Sequence, residues 1–163
     1  MNVNNKVSVI ITTYGRDIKI VKEAVESADN QTFDNLEVLI IDDNGYGTEK
    51  QLDNQKFFSK SGYRRVRYLA NKKNEGVQYS RNRGILESEG EFIAFLDDDD
   101  VWFKDKIEKQ MKLMQGTENC GMVFCDGYYM LNDGEVAKEK DHDPDAFKQE
   151  ITHRMLLMND YIG

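Results

Sequence analysis

The chain has 163 residues, a one-domain length that hides roughly two thirds of its unfolded surface. Hydrophobic residues make up 39% and charged residues 32%, which fits a globular chain and excludes a disordered one. With 22 basic and 30 acidic residues the net charge is −8, which argues against broad nucleic-acid binding and against flat docking on anionic lipid.

The alternation of patterns predicts strands and helices in turn. Val7 to Thr12 is a β-branched run, read as a buried strand and broken by Tyr14-Gly15-Arg16. Ile20, Val21, Ala24, Val25 and Ala28 then recur at helical spacing. Leu36 to Ile41 is a second buried strand, ending at Asp42-Asp43-Asn44-Gly45. Thr48 to Ser59 reads as a helix, Val66 to Leu69 as a short strand, and Gly76 to Ser88 as a helix. Glu91 to Leu96 is a fourth strand, stopped by Asp97-Asp98-Asp99-Asp100. Ile107, Met111 and Met114 mark the next helix, and Gly121 to Cys125 a fifth strand. Asn132-Asp133-Gly134 signals a turn closing a hairpin with Glu135 to Lys138. Phe147, Ile151, Met155 and Met158 make a last amphipathic helix.

Such alternation predicts an α/β fold with a mostly parallel central sheet and helices on both faces. Residues 1–163 are expected to form one domain. Cys120 and Cys125 cannot build a disulfide framework and are expected to be reduced core residues on opposite faces of a strand. No apolar run approaches the ~20 residues of a membrane span. Met1 to Lys6 are too polar for a signal peptide. The expected location is the cytoplasm, extending to a peripheral seat at the inner membrane face.

In open parallel sheets, ligands sit beyond the carboxyl ends of the strands. Here those ends carry Thr12-Thr13-Tyr14, then Asp42-Asp43, then the four aspartates. Adjacent carboxylates repel, and a divalent cation relieves the repulsion. Mg²⁺ usually combines one or two carboxylates with substrate phosphates, and Mn²⁺ accepts the same donors. The pattern therefore points to a metal–phosphate site. The plainer alternative is a solvated turn, with Asp100 capping the next helix. Arg81 falls on the helix face shared by Val77, Gly84, Ile85 and Ser88, so its guanidinium needs an acid or a diphosphate as partner. A structural Arg–Asp pair fits as well. Gly84 suits close helix–sheet packing. Trp102 and Phe103 offer stacking surfaces, with core packing as the plainer role.

The blocks VSVIITTY, LEVLIIDDN, NEGVQYSRNRG and GEFIAFLDDDDVW, in this order over about residues 6–115, resemble the inverting family 2 glycosyltransferases. The resemblance implies a GT-A fold, a nucleotide-diphosphate sugar donor with UDP favoured, and Mn²⁺ or Mg²⁺. It implies a glycan or lipid-linked acceptor, in cell-surface polysaccharide or glycoconjugate synthesis. On it, Thr12 and Tyr14 flank the nucleotide base, and Asp43 matches the acid that binds the base at a ring N–H. Arg81 matches the basic residue near ribose and diphosphate. Asp97-Asp98-Asp99 matches the DxD region: Asp99 is the direct metal ligand, and Asp97 and Asp98 are ribose or outer contacts, with Asp97 a second candidate ligand. Asp42 is expected to be structural. Ser80 stands where the family usually has Ala. The family continues further, so the resemblance implies the donor-binding part of a longer enzyme, with the catalytic base beyond Gly163. Two alternatives remain: a module that binds metal or nucleotide without turnover, and a haloacid-dehalogenase-type phosphatase using Asp97, whose DxDxV pattern Asp97 to Val101 fits.

Overall fold

A computed structural model describes residues 5–60, 62–125, 127–130 and 136–138. They belong to two compact units, residues 1–118 and 119–163. The first unit runs β1 (Val7–Thr13), α1 (Ile18–Asp29), β2 (Leu36–Asp42), α2 (Glu49–Phe58), β3 (Val66–Ala70), α3 (Val77–Glu87), β4 (Phe92–Asp97) and α4 (Lys106–Gly116). The strands form one sheet in the order β3-β2-β1-β4. All three pairings are parallel. This is the expected α/β architecture, element by element.

The sheet is buried on both faces, which is why β1 and β2 read as unbroken apolar runs. On one face Val9, Ile11, Val38 and Ile40 meet Val21 and Val25 of α1, Phe58 of α2 and Ile107 and Met111 of α4. On the other face Ile10, Leu39 and Ile41 lie together. There α3 packs through Gly84: a Cβ at this position would stand 2.5 Å from Cγ2 of Ile10. The buried residues of α3 are Ser80 and Gly84, while Val77 and Ile85 are 42% exposed. The inward face is thus turned from the expected one, because close approach at Gly84 sets the contact line. Gly84→Ala gains about 1 kcal/mol of helix propensity but overpacks Ile10, which is 1% exposed. The expected net loss is about 1–2 kcal/mol in urea denaturation; a neutral or stabilising change would contradict the close packing.

Helix starts follow local capping. Asp17 caps α1 by accepting from Lys19 N, and Thr48 caps α2 by accepting from Gln51 N. The N-cap of α4 is Asp105, so Asp100 does not cap it.

At the amino edge of the sheet, Glu37 is 5% exposed. Its carboxylate accepts from Ser8 Oγ (2.7 Å), Glu89 N (2.7 Å) and Arg67 Nη1 (3.2 Å). Burial raises its pKa, but the bonds from Ser8, Glu89 and Arg67 and the charge of Lys6 outweigh that, and the net shift is downward. A depressed folded-state pKa means that unfolding takes up a proton once the pH drops below the ordinary Glu value of about 4.3. This contribution to stability is complete above that pH and is lost as pH falls through the lowered pKa. Glu37→Gln should therefore flatten the acid limb of a stability-against-pH profile. An unchanged limb would remove Glu37 from the acid response.

In the second unit, β5 (Tyr128–Met130) pairs antiparallel with β6 (Val136–Lys138). The expected hairpin is present, but its first strand is Tyr128–Met130. Residues 121–125 form no strand, Met122 and Phe124 are exposed, and so is Cys125, while Cys120 is half-buried. The cysteines are free, as expected, but they are not core residues, since Cys125 is exposed and Cys120 only half-buried. The last predicted helix lies outside the described residues. No helix among the described residues is long and apolar enough to cross a membrane.

Candidate functional site

The carboxyl edge of the sheet collects the predicted residues in register. Thr13 stands beside Asp42, and Thr12 beside Asp97. The chain then leaves each strand in a loop, and polar contacts knit those loops together. Asp43 N donates to Thr13 O, and Gly15 N donates to Asn44 Oδ1, both at 2.8 Å. The loop after β1 therefore lies against the loop after β2.

The two acids that end β2 do different work. Asp42 is fully buried. Its Oδ1 accepts from the backbone N and side-chain Nδ2 of Asn44, and its Oδ2 from Asn54 Nδ2 and Tyr68 Oη, all within 2.7–2.8 Å. Burial and the bond to Asp42 push the Tyr68 hydroxyl pKa far up, so it stays a donor. Asp42 is structural, in agreement with the sequence reading.

Asp43 is 3% exposed and ties three segments together. Its Oδ1 accepts from Asn71 Nδ2 (2.6 Å) and Glu75 N (2.9 Å), and its Oδ2 from Gly76 N (2.8 Å). Gly76 is the N-cap of α3, has φ +90° and offers no side chain for capping. The carboxylate of Asp43 instead fixes the entry to the helix, by accepting from the N–H groups of Glu75 and of Gly76 itself. Asn71 also donates to Ser80 Oγ at 2.8 Å, and its Oδ1 accepts from Arg83 Nη1 at 2.7 Å. The Ser at position 80, unusual for the resembled family, thus has a definite partner.

The next residue on α3, Arg81, reaches the acid run. Its Nη2 donates to Asp97 Oδ1 at 2.8 Å, and its guanidinium lies 5.6 Å from the centroid of Phe95. Arg16 serves the following two acids: Nε bonds Asp98 Oδ1 at 3.1 Å and Nη2 bonds Asp99 Oδ2 at 2.7 Å. The Asp98 charge and hydrogen bond, then the Asp99 and Asp97 charges, raise the Arg16 pKa. Two arginines thus face the three acids Asp97, Asp98 and Asp99. Asp98 is 7% exposed, whereas the Asp99 side chain is 49% and that of Asp97 41% exposed.

The structure brings Thr12, Arg81 and Asp97 together. Arg16 joins Asp98 and Asp99 to the loop that carries Tyr14. Asp43 sits in a separate hub, one helix residue away through Ser80. Tyr14 is 62% exposed and presents an open ring at this edge. Sequence reasoning gave no role to Arg16, Asn71 or Ser80. The available signals were an arginine directly after a strand end that faces many acids, and the Ser80 substitution itself. Trp102 packs against the core with Lys106 Nζ 4.0 Å from its ring centroid, but Phe103 is 70% exposed and is not a core residue.

Among the described residues no three acid, histidine or cysteine side chains converge closely enough to hold a metal by themselves. The acid run still suits a cation shared with a ligand. Asp97 and Asp99 are half-exposed oxygen donors, and one or two carboxylates completed by phosphates is the usual Mg²⁺ arrangement. A closed protein-only metal cage is a poor match to this donor set.

The parallel sheet with its flanking helices is a GT-A-like scaffold, and the acid run lies at the carboxyl end of its fourth strand. The sequence profile described as glycosyl transferase family 2 matches residues 8–159, and the chain belongs to that family. It is 46% identical over 130 residues to a glycosyltransferase of Rickettsia bellii, covering 80% of this chain and 18% of that protein. It is 31% identical over 161 residues to the Escherichia coli UDP-Glc:alpha-D-GlcNAc-diphosphoundecaprenol beta-1,3-glucosyltransferase WfgD, covering 96% of this chain and 57% of WfgD. In fold it is similar to Staphylococcus aureus TarS 1-349 in complex with UDP-GlcNAc, with a TM-score of 0.58 and 24% identity over 73% of this chain and 37% of that one. The chain spans less than two thirds of each of these proteins.

Proposed function

We propose that this chain binds a nucleotide-diphosphate sugar, with UDP as the favoured nucleotide, through the carboxyl edge of its sheet. It does so as the donor-binding domain of a metal-dependent, inverting glycosyltransferase. The observation that carries the reading is the clustering of Asp97, Asp98 and Asp99 with Arg81 and Arg16 beside the exposed ring of Tyr14. The relatives support it: WfgD's name specifies UDP-Glc and a lipid-diphosphate acceptor, and TarS carries UDP-GlcNAc on the same fold.

In this reading Tyr14 stacks on the base, and Thr12 lies alongside at the end of β1. Asp43 fixes the Glu75–Gly76 loop, and its Oδ2, which accepts only from Gly76 N, has a further acceptor site for a ring N–H of the base. Arg81 neutralises diphosphate charge from the α3 side. Asp99, with Asp97, would hold Mn²⁺ or Mg²⁺, which supplies charge neutralisation at the departing diphosphate. A carboxylate outside this set would deprotonate the acceptor hydroxyl, which attacks the anomeric carbon from the opposite face. The acceptor is proposed to be a glycan or lipid-linked sugar, and the pathway cell-surface polysaccharide synthesis.

A thermal-shift panel tests the nucleotide assignment. With Mn²⁺ present, UDP should raise Tm more than GDP, dTDP or CDP, because ligand that binds only the folded state stabilises it. No shift with any of the four would overturn the reading. Phosphate release from a generic phosphoester, abolished by Asp97→Asn, would replace it with the phosphatase alternative.

A further inference from the structure

Resting on the metal–diphosphate reading above, we propose that Arg16 is an exchangeable counter-ion of the acid run. It holds Asp98 and Asp99 when no divalent cation is present. It releases Asp99 when the cation arrives, and its freed guanidinium arm then serves the donor's diphosphate.

Four observations carry this. First, Arg16 already occupies an oxygen that a cation on Asp99 would use: Arg16 Nη2 bonds Asp99 Oδ2 at 2.7 Å. Two positive groups gathered at one carboxylate repel each other, so both do not occupy it on equal terms. Second, the two arms of the Arg16 fork differ in how firmly they are held. The Asp98 side chain is 9% exposed, whereas that of Asp99 is 49% exposed. An exposed ion pair changes an equilibrium constant by at most about fivefold, so the Asp99 arm is cheap to release while the Asp98 arm stays. Third, the backbone beneath Arg16 is anchored within its loop, whereas its side chain is held only by the two acids. Gly15 N is fixed to Asn44 Oδ1, and Lys50 Nζ donates to Arg16 O, but the Arg16 side chain is 38% exposed. The guanidinium can therefore pivot about its Asp98 bond without moving the loop. Fourth, Arg81 is unsuited to the same task. It bonds Asp97, lies over Phe95 and is set on a helix whose neighbouring Ser80 is fully buried. The acid run therefore has one fixed and one movable guanidinium. A planar fork freed from a carboxylate is well matched to a diphosphate.

The signature is a pair of changes with opposite signs. On the full 163-residue chain, Arg16→Met should bind Mn²⁺ alone about 2–5-fold more tightly, read from depletion of the free-ion paramagnetic signal. The same variant should bind UDP about 5–30-fold more weakly at saturating Mn²⁺, read by calorimetry. Arg16→Lys, which keeps the charge but not the fork, should recover part of the UDP affinity, and it carries the test if the Met variant does not fold. An arginine with a purely structural role would weaken both interactions or neither. Unchanged or weaker Mn²⁺ binding in Arg16→Met, with normal Mn²⁺-dependent UDP binding by the unaltered chain, overturns the counter-ion role alone. Failure of the unaltered chain to bind Mn²⁺ and UDP together overturns the proposed function and this inference with it.

Discussion

Asp42→Ala is expected to lower the unfolding free energy by about 2–4 kcal/mol, since each buried polar group left without its partner costs about 1–3 kcal/mol. The side chain has no exposed surface and satisfies four donors, one of them the Tyr68 hydroxyl. Truncation strands Asn54 Nδ2 in the interior, leaves the Tyr68 hydroxyl only its longer bond to Gln51 O, and frees the Asn44 side chain that holds Gly15. A small domain has only about 5–15 kcal/mol in total, so the variant should be marginal at 25 °C. Asp42→Asn keeps the volume but turns an amide NH₂ toward two donors. It should lose less, about 1–3 kcal/mol. Urea denaturation followed by circular dichroism measures both. A loss below about 0.5 kcal/mol for Asp42→Ala, the scale of an ordinary surface substitution, would contradict the structural role.

Asp99→Asn should behave in the opposite way. Its side chain is half-exposed and its pair with Arg16 lies at the surface, so stability should change by no more than about 0.5 kcal/mol. Mn²⁺-dependent UDP binding should nevertheless fall by about 100-fold or more. Changes to outer-shell partners of metal ligands already cost 10–100-fold, and loss of a ligand should exceed that. The two aspartates together separate the acids that build the fold from the acids that serve the ligand. Equal stability losses in Asp42→Ala and Asp99→Asn would mean that this division is wrong.

Much of this was legible in the sequence because burial on both sheet faces leaves a simple trace. Val7 to Thr12 and Leu36 to Ile41 are apolar runs without alternation, and each became a parallel strand within a residue of its expected bounds. The acid run was legible for a similar reason: four aspartates after an apolar strand have few purely structural explanations. What the sequence did not show were contacts set by distance along the chain. Arg16 meets Asp98 and Asp99 across 82 and 83 residues, and Asp43 meets Gly76 across 33. No periodicity marks such pairs. The orientation of α3 was misjudged because helical spacing counts Val77 and Ile85 as inward, whereas the contact is set by the missing side chain of Gly84 against Ile10. Gly121 to Cys125 failed for another reason. Its composition permits a strand, but composition alone does not choose which segment pairs, and the antiparallel pair forms between Tyr128–Met130 and Val136–Lys138.

The central claim, that the carboxyl edge is a metal-dependent nucleotide-diphosphate site, is tested most directly by calorimetric titration of the chain with UDP, in the presence and absence of Mn²⁺. The account predicts saturable one-to-one binding with Mn²⁺ and binding weaker by about 100-fold or more without it. UDP binding of equal strength with and without the metal would contradict the role given to Asp99, and no binding in either condition would contradict the site itself.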